Sequence, residues 1–140
     1  VSGPSMPGLP QLQGPVNDIA STPGCKDCVV ASLGRHAIAV SHSAGVSWKK
    51  FKTPATFDEL YATRGVLFGL VPSTADPDHG VWRSTNGGRT WQRTLTAPLV
   101  DHLYAAGGAS HSLLAFEWGI KVYRSTNNGK TWSLRSRIGS

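Results

Sequence analysis

The chain has 140 residues, a formal net charge of +6 and a hydrophobic share of 39%. This length is sufficient for one domain with a buried core, and 16 Gly and 9 Pro are typical of a loop-rich globular protein. No apolar run approaches the roughly 20 residues that a membrane-spanning helix needs. The positive charge could attract an anionic partner, but no nucleic-acid-binding pattern is present, so we attribute the charge to solubility and do not expect nucleic acid as a partner.

The first part of the chain differs in composition from the rest. Residues 1–15 contain four Pro and three Gly and show no periodicity, which predicts an extended arm or linker. Residues 16–140 form the predicted folded unit. The chain begins without Met and without a signal segment, so we expect either a mature form or a piece of a longer chain.

The two cysteines, Cys25 and Cys28, form a C-x-x-C pattern that is compatible with a redox pair, half a zinc site or a small disulfide. A zinc site needs about four ligands, and there is no second C-x-x-C. No helical pattern follows the cysteines, as it would in a thioredoxin-type pair. We therefore expect a turn disulfide in a secreted or otherwise extracytoplasmic protein, with free thiols as the alternative, and we expect no metal and no cofactor.

The region after residue 15 is an internal repeat with a period of about 42 residues. Two independent landmarks show the same spacing. The first landmark is a tryptophan that ends each unit, at Trp48, Trp91 and Trp132. The second is an apolar residue near the start of each unit, at Ile19, Leu60 and Leu103.

Each unit divides into four short runs rich in Val, Ile, Leu and aromatic residues, which is typical of β-strands. The runs of the first unit are Asp18–Ser21, Val29–Leu33, Ala37–Ser41 and Ser47–Phe51. Those of the second are Glu59–Thr63, Val66–Val71, Gly80–Ser84 and Thr90–Leu95. Those of the third are His102–Ala106, Ser112–Phe116, Ile120–Ser125 and Thr131–Arg135. Four antiparallel strands in each repeat predict an all-β fold built from three β-propeller blades.

A turn motif precedes each tryptophan. The second unit has VWRSTNGGRTW and the third has VYRSTNNGKTW. These turns resemble the Asp-box, or BNR repeat, Ser/Thr-x-Asp-x-Gly-x-Thr-Trp/Phe. The matching residues are Ser84, Asn86, Gly88, Thr90 and Trp91 in the second unit and Ser125, Asn127, Gly129, Thr131 and Trp132 in the third. The first unit keeps Ser41, Gly45, Ser47 and Trp48, with Ser43 at the Asp position.

The resemblance extends over residues 16–135 and implies a propeller. Asp-box families include sialidases, sortilin-type receptors, xyloglucan hydrolases and photosystem-assembly propellers, so the resemblance does not imply one function. In these families the box is a structural turn between the third and fourth strands of a blade, away from the usual active face. Since none of the three boxes here carries the Asp, we do not expect a carboxylate-dependent role such as calcium binding.

Candidate ligand-binding residues lie where propellers usually carry their sites, on the face opposite the Asp-boxes. The loops between second and third strands supply Arg35, His36, Asp76, His79, Glu117 and Trp118. The starts of the innermost strands supply Asp58, Glu59, Asp101 and His102, at positions equivalent to Asn17 and Asp18. These polar residues predict a partial ring that could hold a cation, a sugar or an acid/base pair. The alternative is a polar channel that only holds water.

Three blades do not close a ring, because propellers have about four to eight blades. An open stack would leave apolar blade faces exposed. We therefore expect either a homodimer that closes a six-bladed ring by two-fold symmetry or missing blades in a longer chain.

The functional expectation is an exported binding or assembly scaffold that recognises a glycan or a protein. One alternative is part of a sialidase-like or xyloglucanase-like glycoside hydrolase, and another is a sortilin-like peptide-binding receptor fragment. The sequence assigns no catalytic residue. It favours a binding protein over an enzyme and leaves both open.

Overall fold

The structure is a computed structural model that describes residues 15–22, 25–106, 111–118 and 121–137. Within these residues, three four-stranded antiparallel sheets are each built from consecutive strands. Sheet 1 contains β1 (Val16–Ser21), β2 (Val29–Leu33), β3 (Ala37–Ser41) and β4 (Lys49–Lys52). Sheet 2 contains β5 (Glu59–Thr63), β6 (Val66–Val71), β7 (Gly80–Ser84) and β8 (Gln92–Leu95). Sheet 3 contains β9 (Val100–Ala105), β10 (Leu113–Glu117), β11 (Lys121–Ser125) and β12 (Ser133–Arg137).

The predicted all-β fold of propeller blades is confirmed, and the strands β2, β3, β5, β6 and β7 have the predicted bounds. The fourth strands begin later than predicted. For example, β8 begins at Gln92, whereas the prediction began at Thr90. The reason is that the backbone N–H of Thr90 donates to the side chain of Asn86 at 3.0 Å, so Thr90 belongs to the turn. The arm predicted over residues 1–15 lies outside the described residues except for Pro15.

The Asp-box turn of sheet 2 is held by side chains that replace backbone partners. The buried hydroxyl of Ser84 accepts the N–H of Gly88 at 2.9 Å and donates to Asn86 Oδ1 at 3.0 Å. Asn86 Nδ2 donates to Thr90 Oγ1 at 2.7 Å. The turn of sheet 3 repeats these contacts. Asn thus performs both tasks that the turn requires, because its oxygen accepts and its amide nitrogen donates.

The degraded box of sheet 1 keeps the same shape with hydroxyl groups alone. Ser41 Oγ accepts the N–H of Gly45 at 2.8 Å. Ser43 Oγ accepts the N–H of Ser47 at 3.0 Å and lies 3.1 Å from Ser47 Oγ. A serine can therefore stand at the Asp position of the box, because the turn needs an acceptor there and not a charge.

The box glycines lie against the preceding sheet. Gly88 has a φ of +94°, and a Cβ built on it would come within 2.4 Å of Ile38 Cδ1. Gly129 has a φ of +83°, and its Cβ would come within 2.4 Å of the ring of Phe68. Two independent features therefore favour glycine at this position of the box. They are the left-handed backbone and the close contact with the preceding sheet.

The core consists of the two interfaces between neighbouring sheets. Between sheets 1 and 2, Ile38 and Leu67 are buried around Phe57, and the ring of Phe57 lies 4.6 Å from that of Trp91. Between sheets 2 and 3, the largest buried ring is that of Phe68. Because the box tryptophans Trp91 and Trp132 pack at these two interfaces, they join consecutive sheets.

The stack is open at both ends in the described part of the chain. Ile19 is 41% exposed, whereas its equivalents Leu60 and Leu103, which the preceding sheet covers, are 5% and 6% exposed. At the other end, Tyr104 is 55% exposed, whereas the equivalent Tyr61 packs in the interface with sheet 3.

The outward face of sheet 1 is less bare than the sequence predicts. Ala31, Leu33 and Ala39 on this face are buried, and Trp48 packs against them. The expected exposure of apolar blade faces therefore applies to Ile19 and to Tyr104 at the two ends, and it does not apply to the centre of sheet 1.

The contact of Gly69 with Phe57 gives a stability prediction. A Cβ at Gly69 would lie 2.5 Å from Phe57 ring atoms, and that ring is fully buried. We expect Gly69→Ala to lower the free energy of unfolding by about 1–3 kcal/mol, because the ring must move within a filled core. Urea unfolding followed by tryptophan fluorescence measures this difference.

Gly34→Ala is the matched control. Among the described residues its Cβ would meet Pro15 alone, at 3.8 Å, which is an ordinary contact. We expect this variant to be neutral or more stable than the parent by up to about 1 kcal/mol. Equal unfolding midpoints for the two variants would contradict the importance of the Phe57 contact.

Candidate functional site

The first strands of the three sheets lie side by side, since β1 contacts β5 and β5 contacts β9. We call the end at which these strands begin the upper face, and the opposite end the Asp-box face. Asp18 of β1 joins this strand to β5 on the upper face, because its Oδ2 accepts the backbone N–H of Leu60 at 2.8 Å. Asn17 Nδ2 also donates to the carbonyl of Phe57 at 3.2 Å. The starts of the strands are thus fastened to each other by side chains.

Three carboxylates from three different strands converge at this point. Burial raises the pKa of Glu59 above its usual 4.5, and the nearby charges of Asp101 and Asp18 raise it further. His102 acts in the opposite direction, and Asp58 adds a smaller increase in the pKa. The charges of Asp18 and Asp101 thus act on Glu59 near the starts of three neighbouring strands, and the partial ring stays a prediction. Among the described residues, however, no three of these groups lie close enough to share one metal ion.

His102 connects sheets 2 and 3 beside these carboxylates. Its Nδ1 lies 3.1 Å from the hydroxyl of Tyr61, and the two rings meet edge to face. Burial raises the pKa of the Tyr61 phenol, and the neighbouring Glu59 raises it further. The tyrosine hydroxyl is therefore protonated and able to donate to His102.

The loop after β6 holds two candidates in a turn built by its own hydrogen bonds. Asp76 Oδ1 accepts the N–H of Asp78 at 2.8 Å, and the carbonyl of Asp76 lies 2.8 Å from His79 Nδ1. Burial raises the pKa of Asp58, and the charge of Asp76 raises it further, which places this loop beside the start of β5.

Two more candidates form the tight turn after β2. Arg35 and His36 have φ values of 61° and 56° and are exposed. The N–H of His36 donates to Thr56 Oγ1 at 2.9 Å, and its carbonyl accepts the N–H of Thr53 at 2.8 Å. The turn is therefore fixed to the link between sheets 1 and 2, and both side chains remain available at the rim of the upper face.

Glu117 and Trp118 are adjacent in sequence but have different environments. Glu117 ends β10 instead of lying in the predicted loop, and it is buried, with Lys121 Nζ 3.5 Å from its Oε1. The side chain of Trp118 is largely exposed, at 70% for the residue. Its backbone N–H donates to the carbonyl of Leu99 at 2.9 Å. This bond places the backbone of Trp118 beside Leu99, which directly precedes β9 and lies two positions before Asp101.

A separate group lies on the Asp-box face of sheet 1. Cys25 and Cys28 form a disulfide, and Cys28 Sγ lies 3.2 Å from His42 Nδ1. Sequence reasoning missed His42, although a signal was present. In the predicted blade, the connection between the first and second strands and the turn after the third strand lie at the same end, so His42 could have been placed near the cysteines.

Comparison with known proteins agrees with this architecture. The family model of the BNR/Asp-box repeat matches residues 82–93 and 123–134. No curated protein matches the chain. None of the described residues forms a helix that could span a membrane.

Solved structures with a similar fold are propellers of different kinds. YCF48 from Cyanidioschyzon merolae matches with a TM-score of 0.65 and 17% identity, over 87% of this chain and 38% of YCF48. A structure of YCF48 bound to D1 peptide has a TM-score of 0.61 and 15% identity, over 93% and 46%. The GH74 xyloglucanase from Xanthomonas campestris has a TM-score of 0.60 and 19% identity, over 84% and 18%. These likenesses show the fold alone, and the chain spans less than half of each structure.

The carboxylate cluster predicts a pH-dependent stability. The folded chain holds the Glu59 proton more tightly than the unfolded chain does. The free energy of unfolding should therefore fall as the pH rises from the usual 4.5 through the raised pKa. We expect Glu59→Gln to unfold at a higher temperature than the parent at pH 7, and this advantage should shrink below about pH 4. Thermal unfolding across this pH range measures it.

Asp27→Asn is the control for this experiment, because it removes an exposed carboxylate from the loop on the Asp-box face. We expect no comparable pH-dependent advantage from it. If Glu59→Gln had the same advantage at every pH, repulsion among ionised carboxylates would not be its cause.

Proposed function

We propose that this chain, an Asp-box repeat protein with the fold of a partial β-propeller, is a binding scaffold that holds a basic segment of a protein partner on its upper face. The observations that carry the proposal are that the charges of Asp18 and Asp101 act on the partly buried Glu59, and that Trp118, which is 70% exposed, follows β10 beside the start of β9. The carboxylates and the ring come from separate strands of three sheets, so the folded stack is needed to bring them together.

A Lys or Arg side chain matches this arrangement chemically. A cation between the carboxylates would relieve the repulsion that raises the pKa of Glu59. An exposed indole also attracts a cation to its face, by about 0.5–1 kcal/mol. The two groups therefore favour the same ligand charge. The structure of YCF48 with a bound D1 peptide supports peptide binding by a propeller of similar fold.

A glycan is the other ligand class that the upper face could hold, since Trp118 could stack on a sugar ring and the carboxylates could accept its hydroxyl protons. We favour the peptide because the carboxylates are crowded. A neutral sugar would leave their repulsion in place, whereas a cation would reduce it. Export to an oxidising compartment remains part of the proposal, supported by the disulfide of Cys25 and Cys28.

Mutations on the upper face test the proposal. We expect a fluorescent Lys/Arg-rich peptide to bind more tightly than a Glu/Asp-rich peptide of the same length. We expect the double variant Glu59→Gln/Asp101→Asn to weaken that binding at least tenfold, because it removes two charges that face the ligand cation. Trp118→Ala should weaken it severalfold. Fluorescence anisotropy at two salt concentrations measures these affinities.

Lys50→Ala, on the outer strand β4, is the control and should leave peptide affinity unchanged. Equal affinity for the two peptides, or full affinity in the double variant, would contradict the proposal.

A second candidate function, part of a glycoside hydrolase, is supported by the raised pKa values of Asp58 and Glu59. A carboxyl group with a raised pKa is suited to act as a general acid beside an ionised carboxylate. Release of reducing sugar from xyloglucan that Glu59→Gln abolishes and Lys50→Ala preserves would favour the hydrolase over the scaffold.

The exposed end positions support a further part of the proposal, that other blades complete the propeller. Tyr104 and Ile19 occupy positions that are covered where a neighbouring sheet exists. A second copy of the chain or further blades of a longer chain could supply the neighbour.

Light scattering across a dilution series distinguishes these partners. Since one chain has a mass of 14.9 kDa, a six-bladed ring of two chains would have a mass of about 30 kDa. We expect this dimer if the second copy is the partner, and Tyr104→Lys should then yield monomers because a charge would enter the interface. A folded monomer at all concentrations would exclude the ring of two chains and leave further blades as the partner.

A further inference from the structure

The Cys25, Cys28 and His42 group is not explained by the architecture of the blade. In sheet 1, the N–H of Ala44 donates to the carbonyl of Asp27 at 2.9 Å, which joins the cysteine loop to the Asp-box turn. In sheet 3, the N–H of Asn128 makes the same bond to the carbonyl of His111 at 2.9 Å, in a loop that contains no cysteine. The blade therefore does not need cysteines for this connection, and their presence requires another reason.

The three side chains offer ligand atoms at one point. The two Sγ atoms and a ring nitrogen of His42 all lie within 4.8 Å of one another. Cys28 Sγ and His42 Nδ1 are 3.2 Å apart. This separation is near the about 3.5 Å expected between a sulfur and a nitrogen bound to the same tetrahedral zinc ion. The disulfide and a metal ion would use the same two sulfurs, so they are alternative states of one site.

We propose that the reduced chain binds one Zn²⁺ ion through Cys25 Sγ, Cys28 Sγ and His42 Nδ1, with the fourth position open to water. Two thiolates and an imidazole form a ligand set that zinc accepts in sites that keep an open position. Thiolate ligands also favour zinc over hard cations such as Mg²⁺ and Ca²⁺. The site is distinct from the upper face and does not depend on the proposed peptide binding.

The exchange between the two states is balanced. A dithiol reductant gives two electrons and two protons to the disulfide of Cys25 and Cys28 and becomes a disulfide itself. One Zn²⁺ then displaces the two thiol protons to solvent, and the neutral imidazole of His42 donates a lone pair without losing a proton. The metal form therefore belongs to reducing conditions and the disulfide form to oxidising conditions.

Backbone hydrogen bonds hold the loop in addition to the disulfide. The N–H of Thr22 donates to the carbonyl of Cys28 at 3.1 Å, and the N–H of Cys25 donates to the carbonyl of Thr22 at 3.2 Å. Together with the bond from Ala44 to Asp27, these contacts position both cysteines beside His42. Reduction should therefore leave the three ligands near one another.

The site is also accessible from solvent. His42 lines a groove of about 340 Å³ between sheets 1 and 2, together with Lys49, Phe51 and Arg89. The side chain of His42 is exposed, so an ion in solution could reach its ring nitrogen. The cations of Lys49 and Arg89 would favour an anion, such as chloride or a carboxylate, as the exchangeable fourth ligand.

Cobalt(II) is the probe for the experiment, because its bonds to thiolates absorb in the near ultraviolet and Zn²⁺ displaces it. The full chain is reduced with dithiothreitol, freed of reductant under nitrogen and titrated with Co²⁺ and then Zn²⁺. We expect one equivalent of thiolate-bound cobalt in the reduced protein and none in the oxidised protein. The double variant Cys25→Ser/Cys28→Ser should bind none.

His42→Ala separates the three-ligand site from an ordinary pair of thiols. We expect it to weaken Zn²⁺ binding at least tenfold, because a ligand is removed. His111→Ala is the matched control and should leave the affinity unchanged, since the His111 side chain is exposed on sheet 3. Tryptophan fluorescence of every reduced sample reports whether the chain is folded.

Three results would overturn the proposal. One is a folded, reduced chain that shows no thiolate–cobalt absorption. Another is equal zinc affinity in His42→Ala and the parent chain. The third is unfolding of the parent chain on reduction, because the proposal requires the backbone bonds alone to keep the ligands together.

Discussion

The close contact between each Asp-box turn and the preceding sheet is the constraint on which the rest of the structure depends. The box serine and asparagine shape a turn that projects a glycine, and Gly88 and Gly129 then lie directly on Ile38 and Phe68 of the sheet before. A Cβ on either glycine would press against Ile38 Cδ1 or the ring of Phe68, so that side chain or the sheet that carries it would have to shift. Because the same contact recurs, consecutive sheets adopt the same relation, which brings the first strands side by side on the upper face.

Most of the fold could be predicted from the sequence because its signals are local. Short runs rich in apolar residues and separated by turn residues predict β5 and β6, and the repeat period assigns four strands to each blade. The fourth strands were predicted to begin too early, because Thr90 has strand propensity but donates its backbone N–H to a side chain of the turn. A local hydrogen bond from the backbone to a side chain of the turn determined that boundary, and strand propensity could not reveal it.

The candidate site was only partly predictable. Alignment of the repeats placed Asp18, Glu59 and His102 at equivalent positions, and a stack of blades necessarily brings such positions together. The burial of Glu117 beside Lys121 was not predictable, since it depends on how sheet 3 covers sheet 2. The contact of His42 with Cys28 joins two loops of one blade. Because the Asp-box of sheet 1 is degraded, the sequence did not clearly indicate that these loops lie together.

The charge of +6 is a poor guide to the ligand, because the charges are divided across each sheet. The carboxylates of Glu59 and Asp101 lie on the first strands, whereas Lys49 and Lys50 lie on β4, a fourth strand. Four strands at a spacing of about 4.8 Å separate the two edges by about 14 Å, which exceeds the screening length of about 8 Å at physiological salt. A ligand beside Glu59 and Asp101 therefore experiences these carboxylates more strongly than the cations of β4. Under the proposed function, the carboxylates of the upper face would therefore attract a basic segment although the whole chain is basic.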